Sequence, residues 1–157
     1  MTARPLDRRD FLRAGTAAAI GLASLNRLAA DEPKTEFGGF TVGVQSYTFR
    51  NFNLEQALKR IQELGLKYAE FFRAHIPATS TAEQLAAIKK LLADYAVTPI
   101  AYGVERFTKD HDANKKLFEF GKALGIKHFS ADPDPDSFES LDKLCDEYKI
   151  SIAIHPH

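Results

Sequence analysis

The chain has 157 residues, 45% of them hydrophobic and 27% charged, with 21 Lys and Arg against 21 Asp and Glu; this is the balance of a soluble globular domain. A formal net charge of zero, with both signs interspersed, excludes the basic surface that phosphate contacts need, so no nucleic-acid partner is expected. The lone Cys145 excludes an internal disulfide, and it shares one helical face with Leu141, Leu144 and Tyr148, which makes it a core thiol.

Residues 1–30 read as a signal outside the fold. A basic start carrying "DRRDFLRAG" precedes a mild apolar run, Ala14 to Leu25, that is too short to span a bilayer. Arg8-Arg9 followed by Asp10, Phe11, Leu12 and Arg13 resembles a twin-arginine export signal. Asp7 departs from the usual Ser or Thr before the pair, and Leu28 stands where a small residue is preferred for a cut near Ala30. The resemblance implies export in folded form to the periplasm or beyond, with no stable membrane anchor after cleavage. The alternative reading is an amphipathic N-terminal helix. Residues 31–39 form a linker.

From residue 40 onward, strands and helices alternate. "FTVGVQSY" (40–47) predicts strand one. "NLEQALKRIQEL" opens on Asn53 as an N-cap, presents Leu54, Leu58, Ile61 and Leu64 on one face and stops at Gly65. "KYAEFF" (67–72) predicts strand two, and Thr81 with Gln84 predicts a capping box on the helix over 81–95. Strand three is expected over 97–104, the third helix over 113–124 up to Gly125, strand four over 126–132, the fourth helix over 137–148 and strand five over 150–155. Two echoes mark helix ends passing into strands: Leu64-Gly65-Leu66-Lys67 returns as Leu124-Gly125-Ile126-Lys127, and Asp94-Tyr95-Ala96-Val97 as Glu147-Tyr148-Lys149-Ile150. A glycine stop followed by an apolar strand entry is the expected cause of both.

Four βα units and a fifth strand predict a parallel α/β sheet. A flavodoxin-like sheet fits the length but needs a further helix, whereas a (β/α)8 barrel fits the rhythm and needs about 200 residues or more. Because the chain stops on a strand, "SIAIHPH", the expectation is a barrel cut after strand five. Alternation puts Ile150, Ile152 and Ile154 on one side and Ser151, Ala153, His155 and His157 on the other.

Ligands of parallel α/β folds bind at the carboxyl ends of the strands. Those ends collect Gln45, Ser46 and Tyr47; Glu70, Arg73 and His75; Tyr102 and Glu105; Asp132 and Asp134; His155 and His157. His155 and His157 lie about 6.6 Å apart along a strand and project the same way, so they are candidate metal ligands; the alternative is a frayed end without a ligand role. Glu70 stands in an apolar, aromatic strand, where a carboxylate must be paired, metal-bound or proton-transferring. It is the catalytic candidate, the alternative being a rim partner for Arg73 or Lys67. Gln45, Tyr47, His75 and Tyr102 are the substrate-binding candidates.

"VGVQSYTFRNFNLEQALKRIQELGLKYAEFF" and "IAIHPH" resemble the sugar phosphate isomerase/epimerase group, the xylose isomerase-like TIM barrels, over residues 40–157. The resemblance implies a truncated barrel of that type from an exported enzyme. Its substrate would be a small sugar or keto-polyol, and it would move a proton beside a carbonyl with a divalent metal (Mn, Mg, Zn or Co) at the barrel mouth. Many members carry a glutamate where this chain has His155, and further ligands on strands six to eight. The expectation for the 157-residue chain alone is therefore an inactive fragment that self-associates through open sheet edges. The competing readings are a non-catalytic half-barrel or carbohydrate-binding interaction fragment, and a repair endonuclease of the same superfamily, which neutral charge and the export signal disfavour.

Overall fold

The computed structural model describes residues 36–155. The export signal expected over residues 1–30, the first part of the expected linker and His157 lie outside the described residues. The chain divides into two compact units, Met1–Phe40 and Thr41–His157. The described part of the first is a 3-10 turn, Glu36–Gly39, in which Phe37 and Gly38 take positive φ.

The second unit alternates strand and helix throughout: β1 (Gly43–Gln45), α1 (Leu54–Glu63), β2 (Tyr68–Phe71), α2 (Ala82–Asp94), β3 (Thr98–Phe107), α3 (His111–Leu124), β4 (His128–Pro133), α4 (Phe138–Tyr148) and β5 (Ser151–Ile154). All neighbouring strands pair in parallel, in the order β1-β2-β3-β4-β5. A flavodoxin-like sheet runs 2-1-3-4-5, so the unbroken sequential order selects the wall of a (β/α)8 barrel.

Local chemistry sets the helix ends. Asn53 Oδ1 accepts from Gln56 N at 2.9 Å while Asn53 N donates to Gln56 Oε1 at 3.2 Å, and Thr81 with Gln84 repeats this capping box at 3.2 and 2.8 Å. Helix α3 starts two residues earlier than the sequence suggests, because Asp110 Oδ1 accepts from Ala113 N at 3.0 Å and caps it. Gly65 (φ 72) and Gly125 (φ 94) make left-handed stops. The second echo has another cause than the one expected, since Ala96 (φ 53) and Lys149 (φ 56) take the left-handed conformation without being glycine. That costs about 1 kcal/mol at each position. Bonds such as Val97 N to Leu92 O at 2.9 Å and burial of Val97 and Ile150 immediately afterwards offset it.

Helices and strands share one apolar cluster. Ala69, Phe71, Tyr102, Phe107, Phe129 and Ala131 are fully buried from the sheet side, as are Leu58, Ile61, Phe118 and Leu144 from the helices. Phe129 is central, with ring centroids 5.3 Å from Phe118, 5.6 Å from Phe107 and 6.2 Å from Tyr102. Cys145 packs partly buried against this cluster, where burial pushes its thiol pKa up, as a core thiol should behave.

One irregularity in β3 decides the site. Tyr102 pairs with Phe129 and Glu105 with Ala131, so Gly103 and Val104 together stand against Ser130. This β-bulge breaks the alternation. A Cβ on Gly103 would lie 2.2 Å from Ser130 O, so only glycine lets β3 approach β4 there.

Candidate functional site

The carboxyl ends of the strands enclose a pocket of about 760 Å³. The turn after β1, the end of β2 and the segment after it, the β3 bulge, Ser130 of β4 and His155 just beyond β5 form its lining. Five residues of the set collected from the strand ends come together there: Gln45, Tyr47, Glu70, Arg73 and His155.

Gln45 is held at both ends of its amide. Its Oε1 accepts from Tyr47 N, capping the 3-10 turn Ser46–Phe49, and its Nε2 donates to Gly103 O at 3.3 Å. It ties the β1 turn to the β3 bulge and still has an N–H to offer. Tyr47 is exposed and meets Phe72 edge-on at 5.4 Å, and the Arg50 guanidinium lies 4.9 Å from its ring.

Glu70 is half-buried on β2 and lines the pocket. Its carboxylate has no hydrogen-bond or ion-pair partner among the described residues. The rim pairing weighed for it does not form, because Arg73 is taken by Glu105: Nε donates to Oε1 at 3.3 Å and Nη2 to Oε2 at 2.6 Å. The Glu105 side chain is 5% exposed and that of Arg73 66%. Hydrogen bonding to Glu105, then its charge, raises the Arg73 pKa above its ordinary value.

Two substrate-binding candidates are placed elsewhere. Strand β3 runs to Phe107 rather than ending at Val104, so Tyr102 sits in mid-strand on the core side. Its ring packs against Phe120 at 4.9 Å and its hydroxyl donates to Ile76 O at 2.7 Å. Burial, then the Glu105 charge, pushes its pKa far above the tyrosine range. His75 is also buried, and its Nε2 donates to Phe52 O at 3.0 Å. It therefore braces the loop after β1 against the loop after β2 and does not line the pocket.

The strand ends collected in the sequence included Arg73, which lines the pocket, but not Thr48, Arg50, Phe72, Gly103, Val104 and Ser130, which line it as well. A glycine inside a strand pattern is a recognised bulge signal, and Gly103 carried it. Among the described residues, no three or more His, Cys, Asp or Glu side chains gather as a metal site would require. Glu70 and His155 share the pocket, two donor types where zinc-like centres recruit three or four. The described residues alone do not fit a divalent metal centre, and His157 lies outside them.

No family model matches the chain, and no curated protein matches it. Among solved structures it is similar to an uncharacterized protein from Parabacteroides distasonis ATCC 8503, at 26% identity and TM-score 0.69 over 75% of this chain and 53% of that one. It is similar to protein SMc04130 from Sinorhizobium meliloti 1021, at 13% identity and TM-score 0.56 over 74% and 50%. It is also similar to D-psicose 3-epimerase in the presence of D-fructose, at 12% identity and TM-score 0.53 over 73% and 52%. The chain thus spans about half the length of each of these three solved proteins. Sequential parallel strands and these likenesses together show the fold: over its five strands the described unit is an α/β structure of the (β/α)8 barrel type.

Proposed function

We propose that the pocket is the keto-sugar site of an exported sugar or sugar phosphate isomerase or epimerase, which moves a proton beside a carbonyl. The observation that carries this reading is Glu70, a half-buried carboxylate that lines the pocket without a partner among the described residues. Removing a proton from the carbon next to a carbonyl needs a positioned base, and a carboxylate already committed to an ion pair could not serve. Gln45 keeps a free donor for a sugar hydroxyl, Tyr47 and Phe72 give an apolar wall for the ring's C–H face, and Ser130 adds a hydroxyl. D-psicose 3-epimerase, similar in fold and solved with D-fructose, supports a ketose as the substrate class.

The divalent metal belongs to this proposal for a complete barrel. This chain's contribution would be His155 with His157. Because the chain spans about half the length of the three solved proteins described above, the 157-residue chain alone is expected to bind a ketose without turning it over. The test is deuterium uptake from solvent into the carbons flanking the carbonyl of D-fructose, read by NMR on the complete barrel. Glu70→Gln should lower exchange by about 100-fold or more. Unchanged exchange in that variant would remove Glu70 from the mechanism.

The second reading is a non-catalytic carbohydrate-binding half-barrel. The observation favouring it is that no metal-ligating cluster gathers among the described residues. It predicts ketose binding with no exchange even in the complete barrel.

A further inference from the structure

We infer that Arg73 anchors an anionic group of the ligand, a carboxylate or a phosphate, and that Glu105 is the positioning residue that aims it. The inference rests on the keto-sugar reading of the pocket and names the class of keto-sugar.

The β3 bulge is the origin of the arrangement. With Gly103 and Val104 both lining the pocket, Glu105 is displaced from the pocket lining and buried, its side chain 5% exposed. A buried carboxylate needs charged hydrogen-bond donors, and Arg73 supplies two from across the β2–β3 gap. The exposure of the two partners is lopsided. A counter-ion serving burial alone would be covered together with its carboxylate, whereas the Arg73 side chain is 66% exposed and lines the pocket.

The edge used also matters. Arginine has five N–H donors in a rigid fork, and Glu105 engages Nε and one hydrogen of Nη2. Both hydrogens of Nη1 and one of Nη2 remain, which form the end-on edge that takes a carboxylate or phosphate through two parallel bonds. Clamped from behind, this edge is already oriented before a ligand arrives. Arg50 lines the same pocket, steered by the Tyr47 ring at 4.9 Å and by the Tyr47 carbonyl at 3.4 Å from Nη1. Arg50 and Arg73 together place two guanidinium groups in the lining, and Arg73 keeps its end-on edge although Glu105 holds its other side. They suit a ligand whose carbonyl end meets Glu70 and whose far end is charged.

The test is calorimetric titration of the full chain with D-fructose, D-fructose 6-phosphate, D-fructuronate and inorganic phosphate. Arg73→Gln alone would leave Glu105 buried without its partner and risks misfolding, so the decisive variant is Arg73→Gln/Glu105→Gln, with circular dichroism to show that it folds. At least one anionic ketose should bind wild type about tenfold or more tightly than D-fructose. In the double variant that gap should shrink to about twofold, and Arg73→Lys should keep only part of it because the charge remains and the fork is lost. Glu105→Gln should likewise narrow the gap without weakening D-fructose. An advantage for the phosphate ester alone or the uronate alone identifies which group is taken. Equal binding of all three ketoses by wild type, or a gap that survives in the double variant, overturns the anchor and leaves the keto-sugar reading standing. Arg73-dependent binding of inorganic phosphate with no ketose bound keeps the anchor and overturns that reading. No binding of any probe overturns both.

Discussion

Gly103→Ala is the substitution that most sharply probes how the fold makes the pocket. The added Cβ would sit 2.2 Å from Ser130 O, more than an ångström short of the ordinary contact of roughly 3.5 Å, and 2.9 Å from Ser130 Cβ, also well inside it. Both obstacles belong to the paired strand, so no side-chain rotation relieves them. Lys127 N to Ile100 O and Asp134 N to Phe107 O, each 2.9 Å, tie the two strands on either side of the bulge, and separating the strands would lengthen such bonds. Overpacking of this kind costs about 1–3 kcal/mol, and a side chain at φ +156 adds about 1 kcal/mol. The expected loss is about 2–4 kcal/mol, read as a fall in the urea midpoint of about 1–3 M. Gly125→Ala is the control: its φ is +94 but its Cβ would meet nothing within 4 Å, so only the conformational cost of about 1 kcal/mol applies. If Gly103→Ala were no worse than Gly125→Ala, the close approach of β3 to β4 would be wrong, and with it the bulge that shapes the pocket.

Three further outcomes are expected. Tyr102 has a folded-state pKa raised by burial and then by Glu105, so its contribution to stability is complete below the ordinary tyrosine value of about 10 and is lost as the pH rises past it. Absorbance at 295 nm should show Tyr102 ionising only as circular dichroism reports unfolding, a step missing in Tyr102→Phe; reversible ionisation of all five tyrosines in folded protein would contradict this. The 157-residue chain should self-associate, because β1 and β5 each pair on one side only among the described residues, and it should bind Zn(II) or Mn(II) weakly through His155 and His157. A monomer by light scattering with tight stoichiometric metal binding by calorimetry would refute both. Replacing Arg8 and Arg9 with lysines should leave the protein in the cytoplasm by fractionation, whereas unchanged export would refute the twin-arginine reading.

The parts of the fold that rest on local chemistry were legible in the sequence. Asn53-Gln56 and Thr81-Gln84 are short-range pairs that cap helices in any context, and Gly65 and Gly125 stop helices for reasons internal to the residue. The rule that sites lie at the carboxyl ends of strands also carried Glu70 and His155 to the pocket. It failed at Tyr102 because strand β3 is longer than its apolar run suggests; a residue expected at the mouth lies in mid-strand. The Arg73–Glu105 pair spans 32 positions and exists only because the bulge turns Glu105 inward. No local pattern encodes such a contact. His75 was misread for a related reason, since nothing near it in sequence announces the Phe52 carbonyl 23 residues earlier that its ring seeks.

The central claim is that the strand ends build a ketose site around Glu70. Backbone amide NMR of the labelled chain, titrated with D-fructose, tests it most directly. The account predicts that shifts gather at Phe72, Gly103, Val104 and Ser130, which line one pocket from three elements, and that Glu70→Gln weakens them. Shifts gathering instead at the separate hollow of Lys109, His111 and Ser140, or no response at saturating sugar, would contradict it.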